Sequence, residues 1–132
     1  MDANTTGANN TAVGAYALDS NTTASQNTAI GTLACDANST GDNLCAVGYN
    51  ALADNATGTN NTAIGSKALQ TNTTSGNNTA VGFLALATNT SGTGSQVAMG
   101  YQAGYVSTGP YNTFYGTIAG HDNTSGQRNT FV

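Results

Sequence analysis

NTAIGSKAL at residues 61–69 returns seventeen positions later as NTAVGFLAL at residues 78–86. The same phrase runs the length of the chain. With each unit begun at the Asn of NTA, units start near residues 10, 27, 44, 61, 78, 96, 112 and 129. The period is 17, with one residue added before Gln96 and one removed after it, so the register recovers. Self-similarity at a fixed short period is the mark of a chain that stacks one supersecondary unit on the next. The unit reads N-T-A-V-G-x-x-A-L-x-x-N-T-T-S-G-N, and we number its positions 1 to 17 from that Asn. Position 5 is Gly14, Gly31, Gly48, Gly65, Gly82, Gly100 and Gly116, which points to a tight corner or a positive φ. Positions 1–4 and 6–10 read as two short extended runs, and Asn-Thr-Thr-Ser-Gly supplies turn chemistry. The expectation is an all-β parallel β-solenoid, or β-roll, of seven to eight coils with two short strands per coil, forming one module over residues 1–132. Recurrent glycine and Asn/Thr clusters exclude a helical repeat.

Composition narrows the classes further. Charged residues make up 6% of the chain, against roughly a quarter in an average soluble domain. Lys67 and Arg128 are the two basic residues, too few for the positive stripe that nucleic-acid phosphates require. No apolar run approaches the roughly 20 residues of a membrane-spanning helix, and the start, MDANTTGANN, lacks the basic and apolar parts of a signal peptide. Low charge alone is compatible with disorder, but a disordered chain has no reason to keep apolar residues in register.

The differences between units indicate which positions are packed. Position 2 is mostly Thr but Cys45 and Val97 in two units, position 4 is Val13, Ile30, Val47, Ile64, Val81, Met99 and Tyr115, and position 8 is always Ala. These three positions are expected to form a thin core. Position 7 includes Asn50, Lys67 and Gln102 and is expected to face water. In the last units position 3 becomes Phe114 and Phe131 while position 9 becomes Gly104 and Gly120, a conservation of volume that puts 3 and 9 in one packed layer. By strand alternation that layer falls on the outside. Leu18, Leu52, Leu69 and Leu86 would then form an apolar seam to other chains, and self-association as a homotrimer is the expected consequence. The alternative keeps these leucines inside a monomeric coil.

NTAVGAYALDSNTT, NTAIGTLACDANST, NTAIGSKALQTNTT and NTFYGTIAGHDNTS resemble the repeats of proteins classed as tail fibres, and their core is similar to the head repeats of trimeric autotransporter adhesins. The resemblance covers essentially the whole chain, although the unit is longer than the adhesin-head repeat. It implies an extracellular, elongated, trimeric structural segment, on a virion fibre or cell surface, that spaces or presents a receptor-binding region. The chain opens at position 9 and stops one residue short of the next corner glycine, which reads as a piece of a longer fibre.

No constellation of residues points to catalysis, and the chain is not expected to be an enzyme or to hold a cofactor. His121 beside Asp122 reads as a solvated loop residue, and no Walker, Rossmann, zinc or EF-hand spacing occurs. Ser91 to Ser95, SGTGS, reads as a bulged turn at the one-residue insertion. Asp2, Asp19 and Asp36 share position 10, where stacked carboxylates either splay into solvent or hold a Ca²⁺ or Na⁺ ion. Cys35 and Cys45 are candidates for a disulfide, opposed by their assignment to opposite sides of a strand. Ten Asn-X-Ser/Thr sequons occur, including Asn21, Asn72 and Asn89, and read as turn and ladder residues rather than glycan acceptors. Two further functional readings stay open. Tyr101, Tyr105 and Tyr111 near the C-terminus are candidates for stacking on sugar faces of a host glycan. The repeated threonines offer an ice-binding surface, which burial of position 2 would rule out.

Overall fold

The structure, a computed structural model, describes residues 1–90 and 94–132. The turn expected at 91–95 therefore falls largely outside the described residues. What is described is all-β: a parallel β-solenoid of about seven turns with no helix. Its strands are β1 (Thr11–Val13), β2 (Thr28–Ile30), β3 (Cys45–Val47), β4 (Thr62–Ile64), β5 (Thr79–Val81), β6 (Val97–Met99), β7 (Thr113–Tyr115) and β8 (Thr130–Phe131). They form one parallel sheet in sequence order, each strand beside its successor. Equivalent residues pair throughout: Ala63 lies opposite Ala80, Ala80 opposite Ala98, and Ala98 opposite Phe114.

Each turn carries one strand, not the two that the sequence pattern predicts. The second run, positions 6–10, curls through two hydrogen-bonded turns. In the first, the N–H of Ala68 donates to the carbonyl of Gly65 at 3.2 Å, and in the second Asn72 donates to Leu69 at 3.1 Å. The residue between them that closes the first turn, Lys67, has φ of +60°, so the first turn has the dihedral signature of type II. Leu69 follows at +50°. Positive φ recurs at positions 7 and 9 in turn after turn, on leucine, tyrosine and lysine, where L-residues are ordinarily disfavoured.

Axial hydrogen bonding accounts for this. The N–H of Lys67 donates back to Tyr49 at 2.8 Å, and that of Leu69 donates forward to Ala85 at 3.0 Å. The two left-handed residues turn their peptide groups along the rod while the chain keeps curving, so the ladder continues where strand geometry has ended. The corner glycines have φ of 128° at Gly14 to 140° at Gly100, and a Cβ on Gly65 would sit 2.5 Å from the carbonyl oxygen of Gly82. Stacking at that corner excludes any side chain.

The interior is lined by positions 3, 8 and 9. Ala29, Ala46, Ala63, Ala80 and Ala98 from the strands face Ala34, Ala51, Ala68, Ala85 and Ala103 from the turns. Leu18, Cys35, Leu52, Leu69 and Leu86 fill the space beside them, each fully buried. Position 8 is thus interior as expected, while positions 2 and 4 are not: they point outward from the sheet. The leucines, in turn, cannot form an interchain seam, because a single chain already encloses them. In the turns where position 9 is leucine, the strand wall contributes only alanine and the bulk comes from leucines reaching in from the turn wall. Each buried leucine contributes about 1.5–3 kcal/mol.

The exchange of bulk between positions 3 and 9 is real packing. Phe114 is fully buried, and Cβ atoms added to Gly104 and Gly120 would lie 2.7 Å and 2.3 Å from its ring. One phenylalanine fills the holes left by two absent leucines and stacks on Phe131 at 5.2 Å.

Two columns of asparagine complete the interior. Position 1 asparagines stitch neighbouring turns: Asn61 donates to the carbonyl of Ser75 at 2.8 Å and accepts from the N–H of Asn78 at 2.9 Å. Position 12 forms a side-chain ladder in which Asn21 donates to Asn4, Asn38 to Asn21, Asn55 to Asn38, Asn72 to Asn55 and Asn89 to Asn72, at 2.8–3.3 Å. All the donors point the same way, the arrangement in which hydrogen bonds polarise one another. At the altered unit the ladder is carried on by different residues. Gln96 donates to Asn89 at 3.1 Å and accepts from the hydroxyl of Ser107 at 2.6 Å, a longer amide bridging to a shorter partner.

Candidate functional site

No pocket is present among the described residues. The largest regular feature of the surface is the outer face of the sheet. In the strands, alternation sends position 3 inward and positions 2 and 4 outward. Position 4 forms a column of Val13, Ile30, Val47, Ile64, Val81, Met99 and Tyr115, with Ile64 41% exposed and Val13 57%. Beside it runs position 2: Thr11, Thr28, Cys45, Thr62, Thr79, Val97, Thr113 and Thr130, all exposed or half-buried. Neither column contains a charged residue. Along the rod the rows repeat at the strand spacing, about 4.8 Å.

This face changes character near the C-terminus. At β6 the outward residues are Val97 and Met99, and at β7 Tyr115 takes position 4. Just past the glycine corner, Phe83 and Tyr101 are exposed and stack on each other at 5.7 Å. The change coincides with the displaced spacing, since Thr79 pairs with Val97 and Val97 with Thr113.

The three tyrosines singled out in the sequence do not converge. Tyr101 stacks on Phe83, Tyr105 stacks on His121 at 5.0 Å, and Tyr111 lies beneath the guanidinium of Arg128 at 5.4 Å. They sit at three different places on the perimeter, with different partners. His121 Nδ1 lies 2.7 Å from Asp122 Oδ1, an exposed contact between sequence neighbours.

Asp36 has its carboxyl pKa raised, first by desolvation and then by the charges of Asp19 and Asp54. Among the described residues no group of three or more His, Cys, Asp or Glu side chains is placed to hold a metal ion. Cys35 and Cys45 are free thiols on opposite sides of the wall, Cys35 buried inside and Cys45 half-buried on the outer face. Burial pushes the Cys35 thiol up to about 12, with a smaller contribution from Cys45. Among the sequon asparagines, Asn21, Asn38, Asn55, Asn72 and Asn89 are wholly inside, in the position 12 ladder.

The outward Val/Ile column was not anticipated as a surface. A signal for it exists in the sequence: Met99 and Tyr115 occupy position 4, a range of volumes that a thin alanine-lined core could not hold. No protein-family model, curated protein sequence or solved structure matches the chain.

Proposed function

We propose that this chain is a structural segment of an extracellular fibre, on a virion or cell surface, that spaces or presents a receptor-binding region and associates with itself along its length as a homotrimer. One observation carries the reading. The outer sheet face is a rod-long, uncharged column of half-exposed valine and isoleucine with a threonine column beside it. A continuous apolar strip of that kind marks an interaction surface. The regular 17-residue unit and the resemblance of the repeats to those of tail fibres and adhesin heads support the same reading. So does the axial hydrogen bonding, which makes each turn the template for the next and suits a stiff spacer.

Paired substitutions test it. Ile64→Lys places a charge on the outer face, and it is expected to reduce the assembly to single chains while the thermal unfolding of the chain persists. Leu69→Lys places the same charge inside and is expected to unfold the chain. An Ile64→Lys protein of unchanged mass in solution would remove the sheet face from the proposal.

The exposed threonine column favours a second reading, ice binding, since the burial that would have ruled it out does not occur. Threonine hydroxyls and branched methyls at regular spacing on a flat, uncharged face are suited to ordering water. Faceted ice growth in the presence of the single-chain form would support this reading, and unshaped ice would dismiss it.

A further inference from the structure

A uniform repeat poses a problem for any assembly that uses its side. From β1 to β5 the outward pairs are Thr11/Val13, Thr28/Ile30, Cys45/Val47, Thr62/Ile64 and Thr79/Val81, nearly the same pair five times. A second copy displaced by one turn, about 4.8 Å, meets almost the same side chains. Weakly specified register of this kind invites slippage, as it does between strands and in coiled coils.

Among the described residues, Tyr49 beside β3 is a lone exposed ring, and the two strand columns lose their uniformity together only at β6 and β7. Val97 and Met99 on β6 and Tyr115 on β7 replace the Thr-x-Val/Ile pattern, and the Phe83–Tyr101 stack flanks them. These residues project from the chain: Met99 is 41% exposed, Tyr101 48% and Tyr115 59%. No interior requirement explains them, since the core residue of β6 is still Ala98 and that of β7 packs into the glycine gaps. We propose that Val97, Met99 and Tyr115, with the Phe83–Tyr101 stack, are the register key of self-association: the rank at which parallel copies of this chain align, so that like turns lie side by side.

The proposal rests on the self-association reading above and commits to a second copy as the occupant. A strip that repeats at the strand spacing along the whole rod is matched over its length only by a partner with the same spacing. Another copy of the chain supplies that spacing. The strip also offers no charge by which a different partner would be selected. In a parallel, aligned pair, the large residues meet one another and their bulk is accommodated at one level. In a slipped pair they meet Val81 or the smaller residues of β5, and a gap opens where their own partners should be. Slippage then costs a misfit that β1 to β5 alone would not impose.

Distance measurement between chains tests this. A spin label is attached at exposed Thr57 in a Cys45→Thr, Thr57→Cys protein, with Cys35 left buried. The aligned assembly is expected to give one narrow interchain distance. Val97→Thr, Met99→Val and Tyr115→Val, with Phe83→Ser and Tyr101→Thr to remove the stack, together make the face uniform, and should add longer distances from chains slipped by one or more turns at unchanged assembly mass. Adding Val47→Met and Ile64→Tyr to that variant rebuilds a key at β3 and β4, and the single narrow distance should return. If the uniform variant assembles and keeps one narrow distance, the key is refuted while self-association stands. If it falls to single chains with its fold intact, these residues are the adhesive and not the key, and the proposal is again overturned. If the unsubstituted chain shows no interchain distance and the mass of one chain, the self-association reading itself fails.

Discussion

Phe114 offers a sharp test of how the interior is filled. It occupies the space beside Gly104 and Gly120, where earlier turns place a leucine. Phe114→Ala removes a fully buried ring and should cost about 3–5 kcal/mol, the usual range for emptying such a site. Gly104→Leu alone drives a Cβ to 2.7 Å from that ring and should cost about 1–3 kcal/mol from overpacking. A further 1–2 kcal/mol is expected for placing an L-residue in the left-handed region, since Gly104 has φ of +57°. Together the two substitutions rebuild the alanine and leucine pairing of the earlier turns, at whose position 9 leucine already adopts φ of +49° to +54°. The overpacking then disappears and much of the cavity is filled. The double variant should therefore be more stable than the sum of the single losses predicts, by about 2–3 kcal/mol, within the range seen for residues in contact. Urea unfolding of the four proteins gives that coupling directly. Additive losses, within about 0.5 kcal/mol, would refute the claim that positions 3 and 9 share one packed layer.

Other perturbations bear on separate parts of the fold. Gly65→Ala should cost at least about 3 kcal/mol in the same unfolding assay, because the new methyl meets the carbonyl of Gly82 at 2.5 Å in a backbone region reserved for glycine. Lys67→Gly relieves a left-handed residue on the outer wall, at φ of +60°, and should raise stability by roughly 1 kcal/mol. Asn55→Asp removes the amide that donates to Asn38 and Gly58. It should destabilise by about 3–5 kcal/mol near neutral pH, as an unpaired buried charge does, and by less as acid protonates it. Asp36 has a raised carboxyl pKa in the folded chain, so its ionisation opposes folding. Its unfavourable effect is absent below the unfolded-state pKa and grows as pH rises through the folded value. Asp36→Asn should accordingly raise the melting temperature at pH 7 and leave it unchanged at pH 3.

The all-β parallel solenoid, the corner glycines and the pairing of bulk between positions 3 and 9 were all legible in the sequence. Which side of the wall each column occupies was not, and the reason is physical. Hydropathy ranks Val and Ile at position 4 above Ala at position 3, yet where leucine at position 9 fills the interior only alanine fits from the strand, and Phe114 enters only beside Gly104 and Gly120. Parity also does not carry across the Gly65 corner: beyond it, Lys67 and Leu69 are left-handed and place leucine inside. Nothing in a leucine or a tyrosine announces a positive φ, so the turn segment read as a second strand. Asn55 and Asn61 look like surface residues by composition, but they are interior because the curved backbone leaves carbonyls and amides for their side chains to satisfy. The outward face follows from these same facts, and its Met99 and Tyr115 were the visible hint.

Mass in solution tests the central claim most directly. Light scattering of the unsubstituted chain across a hundredfold range of concentration is predicted to give about three times the 13.1 kDa of one chain. A mass of 13.1 kDa throughout that range would contradict the claim that the outer sheet face joins copies of this rod.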